Sequence, residues 1–439
     1  MSQTATRSDT FVELQAKIAD NTAVVGVIGL GYVGLPLVVE AAGVGLQVVG
    51  LDSSERVVEE LNQGRSHVDD VADSDVGGAI ARGFVATTDP ACIAKVDVVV
   101  ICVPTPLDGD LGPNLIAVEG AAQTIADHLV AEQLVVLEST TYPGTTEEVL
   151  VPILETSGLV AGQDFYVAYS PERIDPGNAR FSLRNTPKVV GGITPMSTER
   201  AVDFYSEIVD EVVVSGGVKE AEMTKLLENT YRHINIALMN EMSQFCAELD
   251  VDLWDAIRCA STKPFGFTPF FPGPGVGGHC IPIDPNYLSH RVQTRLGYSF
   301  RFVELAQEIN AGMPAYVVRR IQDLLNDESL PLRNSRVLLL GVTYKADIGD
   351  VRESPAADIA KALIDLGAQV SYVDPLVDSW AVSGAEIKKT ADLNEGLREA
   401  HVAVLLQAHS SFDHNEMSGS GTWTLDTRGV LSGPMVVRL

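Results

Sequence analysis

Long apolar runs are missing from this sequence. None approaches the roughly 20 residues that span a bilayer, so Val96–Val103 reads as a buried strand rather than a membrane helix. The N-terminal segment is polar and lacks the apolar core of a secretory signal, which makes a cytoplasmic protein the expectation. Cysteine is scarce and unpaired in pattern: Cys92, Cys102, Cys246, Cys259 and Cys280 are odd in number and show no CxxC spacing. Neither a disulfide framework nor a zinc site is indicated, and no metal is expected. Positive charge is also short, with 31 Lys and Arg against 59 Asp and Glu and a formal net charge of −28. That balance excludes nucleic acid and anionic membrane surfaces as natural partners. Any anionic ligand must be held by a few local cations, which screening over about 8–10 Å permits.

At 439 residues the chain exceeds what one core supports, so two or three domains are expected. Val24–Ile28 is a short apolar run that ends in Gly29-Leu30-Gly31-Tyr32-Val33-Gly34. A helical pattern follows over Leu35–Val44, then a second strand, Gln47–Leu51, closing on Asp52. A GxGxxG that follows a strand, opens a helix and is answered by an acid at the end of the next strand is a dinucleotide fingerprint. Its glycines and Val33 bring backbone amides to a pyrophosphate at a helix N-terminus. Asp52 suits a ribose diol and repels a 2′-phosphate, so NAD is favoured over NADP. Arg56, one turn on, is either an adenine-stacking residue or a solvated one. Strands recur at Val96–Val103, Leu134–Leu137 and Phe165–Tyr169, alternating with helices, as a doubly wound parallel sheet requires.

From about Glu220 the rhythm changes to long helices, Glu220–Leu249 and Arg301–Leu325, the first with apolar residues at three- and four-residue spacing and suited to a dimer surface. After Pro331 the βα rhythm resumes, with strands at Arg336–Val342, Gln369–Val373, Val402–Leu406 and Trp423–Asp426 and a helix at Pro355–Leu366. The expected fold is α/β: two doubly wound, Rossmann-like lobes, residues 1–210 and 329–439, joined by a long-helix central domain, residues 211–328.

Several loops carry chemistry. Gly273-Pro274-Gly275-Val276-Gly277-Gly278-His279-Cys280 precedes Ile281-Pro282-Ile283-Asp284. No helix or strand tolerates so much Gly and Pro, so Gly275 and Gly277 let backbone approach a ligand beside a nucleophilic thiol. With the fingerprint, this points to hydride chemistry through a thioester. Thr105, in Val103–Pro106, and Thr140, in Glu138–Thr145, follow strand ends where a ligand crevice lies, as cofactor or water contacts or as turn formers. Glu172 and Arg173 follow the strand at Phe165–Tyr169, where Glu172 is either a proton acceptor or a loop-capping ion-pair partner. Lys225 and Asn229 share a helix face, continued by Arg232 or His233, either to hold an oxyanion or to sit solvated. Asp284 can balance Lys225 and handle protons. Cys102, Cys246 and Cys259 read as small core residues.

In GLGYVG at Gly29–Gly34, CVPTP at Cys102–Pro106, ESTTYPGT at Glu138–Thr145, SPERIDPGN at Ser170–Asn178, EMTKLLENTYRHINIALMNE at Glu222–Glu241, GVGGHCIPIDP at Gly275–Pro285 and GVTYKADIGDVRESP at Gly341–Pro355, the chain resembles the UDP-glucose/GDP-mannose dehydrogenase family. The resemblance covers nearly the whole chain and implies NAD-dependent four-electron oxidation of a sugar C6 alcohol. It implies a UDP-sugar bound by the C-terminal lobe, no membrane, and a homodimer or larger homo-oligomer. By resemblance Cys280 forms the thiohemiacetal and thioester, Lys225 and Asn229 hold the oxyanion, Asp284 activates water, Glu172 accepts a proton and Thr140 sits near cofactor and water. Arg352 matches a residue on the NAD side, while Lys345 and Arg428 match substrate-binding positions, with Arg173, Arg232, Gly275 and Gly277 joining them. The loops at Ser170–Asn178 and Gly275–Pro285 are similar to the branch acting on N-acetylated UDP-hexosamines. UDP-N-acetylglucosamine is the first expectation, UDP-N-acetylmannosamine the second and UDP-glucose the third. The arginine that UDP-glucose enzymes lend from a partner subunit is not evident; Lys263 is the nearest cation.

Overall fold

The computed structural model describes residues 14–68, 70–107, 112–175, 177–178, 180–278 and 281–439, so His279 and Cys280 lie outside the described residues. The first sheet contains β1 (Val24–Ile28), β2 (Gln47–Leu51), β3 (Val85–Thr87), β4 (Val98–Ile101), β5 (Leu134–Leu137), β6 (Tyr166–Tyr169), β7 (Lys188–Gly192) and β8 (Val212–Val214). Their order is β3-β2-β1-β4-β5-β6-β7-β8, with every pair parallel except β6 with β7. Val98 and Val100 of β4 enter one core with Val25, Val27 and Val38; Val99 and Ile101 enter another with Val118, Ile125 and Leu150. A strand buried on both faces has no polar side, which explains its unbroken apolar sequence. The order reverses between β1 and β4, and this switch point opens a crevice at their carboxyl ends.

β1, β2, β4, β5 and β6 lie where the apolar runs of the sequence place them, whereas the other three strands leave no apolar run as long. β3 is only three residues long. β7 ends in Gly191-Gly192, where a Cβ would meet the Gly217 carbonyl oxygen at 2.2 Å and the Thr198 amide nitrogen at 2.3 Å. Close backbone approach has replaced side-chain signal there. β8 is an edge strand with Val213 and Val214 exposed.

Five helices matter for the site: α1 (Gly34–Gly43), α2 (Val218–Glu248), α3 (Asp284–Leu296), α4 (Arg301–Asp327) and α5 (Pro355–Asp365). α4 runs through the buried Pro314 without a break in the helix. A second sheet contains β9 (Arg336–Leu340), β10 (Gln369–Val373), β13 (Lys388–Lys389), β14 (Val402–Leu405), β15 (Trp423–Asp426) and β16 (Val436–Arg438), ordered β13-β10-β9-β14-β15-β16. All its pairs are parallel. A small hairpin, β11 (Ala381–Val382) with β12 (Ala385–Glu386), lies beside it in sequence. The short outer strands β13 and β16 are absent from the sequence reading.

By internal contacts the chain divides into two compact units. One runs to Glu228 and takes in Asn286–Thr294; the other comprises Asn229–Pro285 and Arg295–Leu439. The division falls inside α2. Among the described residues no helix is long and apolar enough to cross a membrane, and no cluster of His, Cys, Asp and Glu is placed to hold a metal ion.

Candidate active site

In the first unit β1 gives way to the glycine turn, and each glycine answers a different demand. Gly29 has φ of 89°, and a Cβ there would lie 2.7 Å from the Cys102 carbonyl oxygen. Gly34 opens α1 so close to the turn that a Cβ would fall 1.9 Å from the Gly29 oxygen. Gly31 has nothing within 4 Å of its Cβ position. The first and third glycines are required by the protein's own packing, and the second leaves room for something else. Asp52, at the end of β2, accepts the Leu30 N–H on Oδ2 (3.0 Å) and the Ser54 N–H on Oδ1 (2.9 Å). Two backbone donors fix the carboxylate beside the turn, with lone pairs left over on both oxygens. Arg56 is exposed and pairs with Glu60 at 2.8 Å. Val33, Thr105 and Thr140 are partly buried.

The same unit buries a cation. Lys225 on α2 is 7 % exposed, and its ammonium lies 3.5 Å from Glu172 Oε2. Glu172 also accepts the Ile174 N–H. Arg173 forks onto Glu228 (2.6 Å) and donates to the Pro187 carbonyl at 2.6 Å, so it ties the loop after β6 to α2. One turn before Lys225, Glu222 is fully buried and accepts hydrogen bonds from Gly144 and Thr146. Behind the crevice Glu138 and Lys188 form a buried ion pair at 2.9 Å, and the Tyr205 hydroxyl donates to Glu138.

In the second unit Asn229 donates to Asp284 Oδ2 at 2.5 Å, and Asp284 is buried at the start of α3. His233 continues the buried face of α2 beyond Asn229, whereas Arg232 is exposed, which decides between the two sequence alternatives. The glycine loop is seated tightly. Cβ positions at Gly275, Gly277 and Gly278 would meet Pro355 at 3.0 Å, the Glu353 carbonyl at 2.6 Å and the Tyr344 ring at 2.9 Å. Asn240 accepts the Gly273 N–H (2.9 Å) and donates to Asn310 (2.8 Å), pinning the start of the loop. Cys280, the expected nucleophile, is outside the described residues. Cys259 is exposed on its helix, not a core residue as the sequence suggests, because its position falls on the solvent side beside Arg258 and Asp255.

The second sheet repeats the device of the first. Gly341 follows β9 with φ of 75°, and a Cβ there would lie 2.4 Å from the Gln407 oxygen after β14. Asp374 ends β10 and accepts the Val342 N–H (2.7 Å) and the Leu376 N–H (2.8 Å), as Asp52 does in its own lobe. It takes a third partner, the buried His409 Nε2 at 3.1 Å. Burial alone would raise the Asp374 carboxyl, but the hydrogen bonds from His409, Val342 and Leu376 outweigh it and hold it low. Near the same strand ends, Arg428 donates Nε to the Leu406 carbonyl at 2.6 Å. Burial pushes Arg428 down to about 10, with Asp426 acting in the opposite direction. Lys345 is partly buried, and Arg352 is exposed in a fork with Asp350.

Family models described as the NAD binding, central and UDP binding domains of the UDP-glucose/GDP-mannose dehydrogenase family match residues 23–209, 219–312 and 338–433. The chain belongs to the UDP-glucose/GDP-mannose dehydrogenase family. It is 38% identical over 357 residues to a UDP-N-acetyl-D-glucosamine 6-dehydrogenase of Pseudomonas aeruginosa, covering 81% of this chain and 83% of that one. It is 36% identical over 391 residues to a UDP-N-acetyl-D-mannosamine dehydrogenase of Methanococcus maripaludis, covering 88% and 86%. Among solved structures, a UDP-D-ManNAc dehydrogenase from Pyrococcus horikoshii aligns with a TM-score of 0.85 at 30% identity, covering 94% of this chain and 98% of that one.

As a member of this family the protein is an NAD-dependent oxidoreductase of nucleotide sugars. The residues present fit the cofactor. The open space at Gly31 is what a pyrophosphate approaching a helix N-terminus needs, and Asp52 keeps acceptor capacity for a ribose diol. Glu222, the Glu138–Lys188–Tyr205 group and Asn240 escape sequence reasoning. Their one legible signal is a polar residue set at an otherwise apolar helix or strand position.

Proposed function

We propose that this enzyme oxidises the C6 alcohol of a UDP-N-acetylhexosamine to the carboxylate, with UDP-N-acetylglucosamine first, UDP-N-acetylmannosamine second and UDP-glucose third. NAD, when bound, takes up the hydride at both oxidation stages. Gly29, Gly31, Val33 and Gly34 receive its pyrophosphate, Asp52 its ribose, and Thr105, Thr140, Arg352 and Arg56 its remaining contacts. Glu172, paired with the Lys225 ammonium, accepts the proton from the C6 hydroxyl. The Cys280 thiolate adds to the aldehyde carbon. The new C–S bond pushes the carbonyl pair onto oxygen, where Lys225 and Asn229 steady it. After the second oxidation, water activated by Asp284 adds to the thioester carbon and the thiol leaves, freeing the carboxylate. Lys345 and Arg428 hold the diphosphate and uridine, with Arg173, Arg232, Gly275 and Gly277 completing the substrate contacts.

The observation that carries this reading is the buried Lys225 ammonium with Glu172 at 3.5 Å. A solvated, idle lysine would not be desolvated beside an acid. We assign the domains as residues 1–210, 211–328 and 329–439, holding NAD, the cysteine loop and the UDP group in turn. A cytoplasmic homodimer or larger homo-oligomer fits the exposed apolar stripe Met223, Leu227, Tyr231, Leu238 and Phe245 along α2. The test is NADH release with UDP-GlcNAc, UDP-ManNAc, UDP-glucose and UDP-galactose in parallel. A four-electron oxidation gives about two NADH per sugar, and Cys280→Ser abolishes turnover. One NADH per substrate would instead indicate a two-electron hydroxyacid-type dehydrogenase, and NAD binding without consumption a sensor or scaffold.

A further inference from the structure

We propose that Glu222 is a positioning residue, a clamp that locks the loop of residues 140–146 onto α2 and thereby fixes Thr140 with respect to Lys225. The proposal rests on the roles given to Thr140 and Lys225 above. Glu222 is fully buried three residues before Lys225, and nothing in the reaction scheme uses it. Its Oε2 accepts the Gly144 N–H at 2.6 Å, and its Oε1 accepts both the Thr146 N–H at 2.8 Å and the Thr146 hydroxyl at 2.7 Å. Three donors from one loop converge on one helix side chain. Gly144 presents its N–H from a φ of 105°, where a Cβ would press on Glu148 at 2.9 Å and Arg291 at 3.0 Å. The loop cannot turn away without leaving buried amides unpaired.

The charges around the clamp are largely neutralised elsewhere. Glu147 pairs with Lys219, Glu148 pairs with Arg291, and Lys225 pairs with Glu172. Arg291 also stacks over the Tyr142 ring at 4.9 Å. Burial raises Glu222 to about 7; the hydrogen bonds from Thr146 and Gly144 pull it down, and Glu147 pushes it further up. Ionised, the carboxylate accepts from all three donors. Protonated, the carboxyl is a weaker acceptor for the Gly144 and Thr146 N–H groups, which cannot reverse their roles, and the clamp loosens. The clamp therefore closes as pH rises through about 7.

The experiment is the pH profile of kcat with UDP-GlcNAc for wild type, Glu222→Gln and Thr146→Val, with thermal unfolding of each. Wild type is expected to show an acid limb with an apparent pKa near 7. In E222Q an amide NH₂ opposes an N–H donor, so kcat falls roughly 10- to 100-fold, the limb flattens and KM for the sugar changes little. T146V removes one donor to the carboxylate, so the limb moves to higher pH. A merely structural role would lower stability without moving the limb. Wild-type kcat with an unmoved limb in E222Q overturns the clamp. If E222Q fails to fold, T146V decides, and a limb that stays in place overturns it. An inactive Cys280→Ser beside an unaffected E222Q sinks the clamp alone, whereas an active Cys280→Ser sinks the underlying reading.

Discussion

Gly31 and Gly34 stand three residues apart in one turn, yet alanine should fail at them for opposite reasons. At Gly34 the new Cβ would lie 1.9 Å from the Gly29 oxygen and 3.1 Å from Val27 Cγ1. Ordinary contact begins near 3.4 Å, so turn and helix must part by more than about 1 Å, at a cost of roughly 1–3 kcal/mol. For a unit of this size each kcal/mol lowers Tm by about 2–4 °C, so Gly34→Ala should unfold about 2–12 °C early even without cofactor. At Gly31 the added methyl meets nothing within 4 Å, and the residue is not among the glycines of positive φ. Gly31→Ala should therefore keep the wild-type Tm or gain slightly, since alanine has less unfolded-state entropy. Its methyl occupies the space offered to the pyrophosphate, and NAD affinity should fall at least tenfold, about 1.4 kcal/mol. Thermal unfolding of the cofactor-free proteins, followed by NAD titration, separates the two. Unchanged NAD affinity in Gly31→Ala, or an unchanged Tm in Gly34→Ala, would refute the division of labour among the glycines.

Two further outcomes concern ionisable groups that burial disfavours in the charged form. Arg428→Met keeps the apolar stem and removes the guanidinium, so initial rates should show KM for the UDP-sugar raised roughly 10- to 100-fold, with NAD affinity unchanged. His233 is fully buried and lowered by that burial to about 4 from 6.5. Between those values the unfolded chain binds more protons than the folded one, so stability rises with pH through the window and is lost as pH falls through it. At pH 5 the loss relative to pH 8 is about 2 kcal/mol, and urea unfolding of His233→Gln should show that part of the acid sensitivity removed.

The parts of this molecule most legible in its sequence are those where backbone geometry demands a particular residue. GxGxxG is readable because Gly29 and Gly34 face backbone oxygens that no side chain could share. The inner strands β1, β4, β5, β9 and β14 are readable because burial on both faces leaves an unbroken apolar run. Lys225, Glu172, Asn229 and Asp284 are readable through motif context, and two of their pairings, Lys225 with Glu172 and Asn229 with Asp284, emerge only from the fold. Glu222 is illegible for a physical reason. Its three partners come from residues more than 70 positions away, and no local period encodes a contact closed by the tertiary chain path. β7 is hidden likewise, because its glycines serve a neighbouring backbone rather than a hydrophobic face.

The imidazole of His409 beside Asp374 bears on how two look-alike lobes avoid exchanging guests. Each lobe ends its second central strand with an acid anchored by two main-chain amides, but only Asp374 also grips a histidine in the dry interior. Of about four acceptor sites on a carboxylate, Asp374 has three engaged and Asp52 two. On a shared scaffold, one ring therefore leaves the second lobe's acid with less to offer a ribose than its counterpart has.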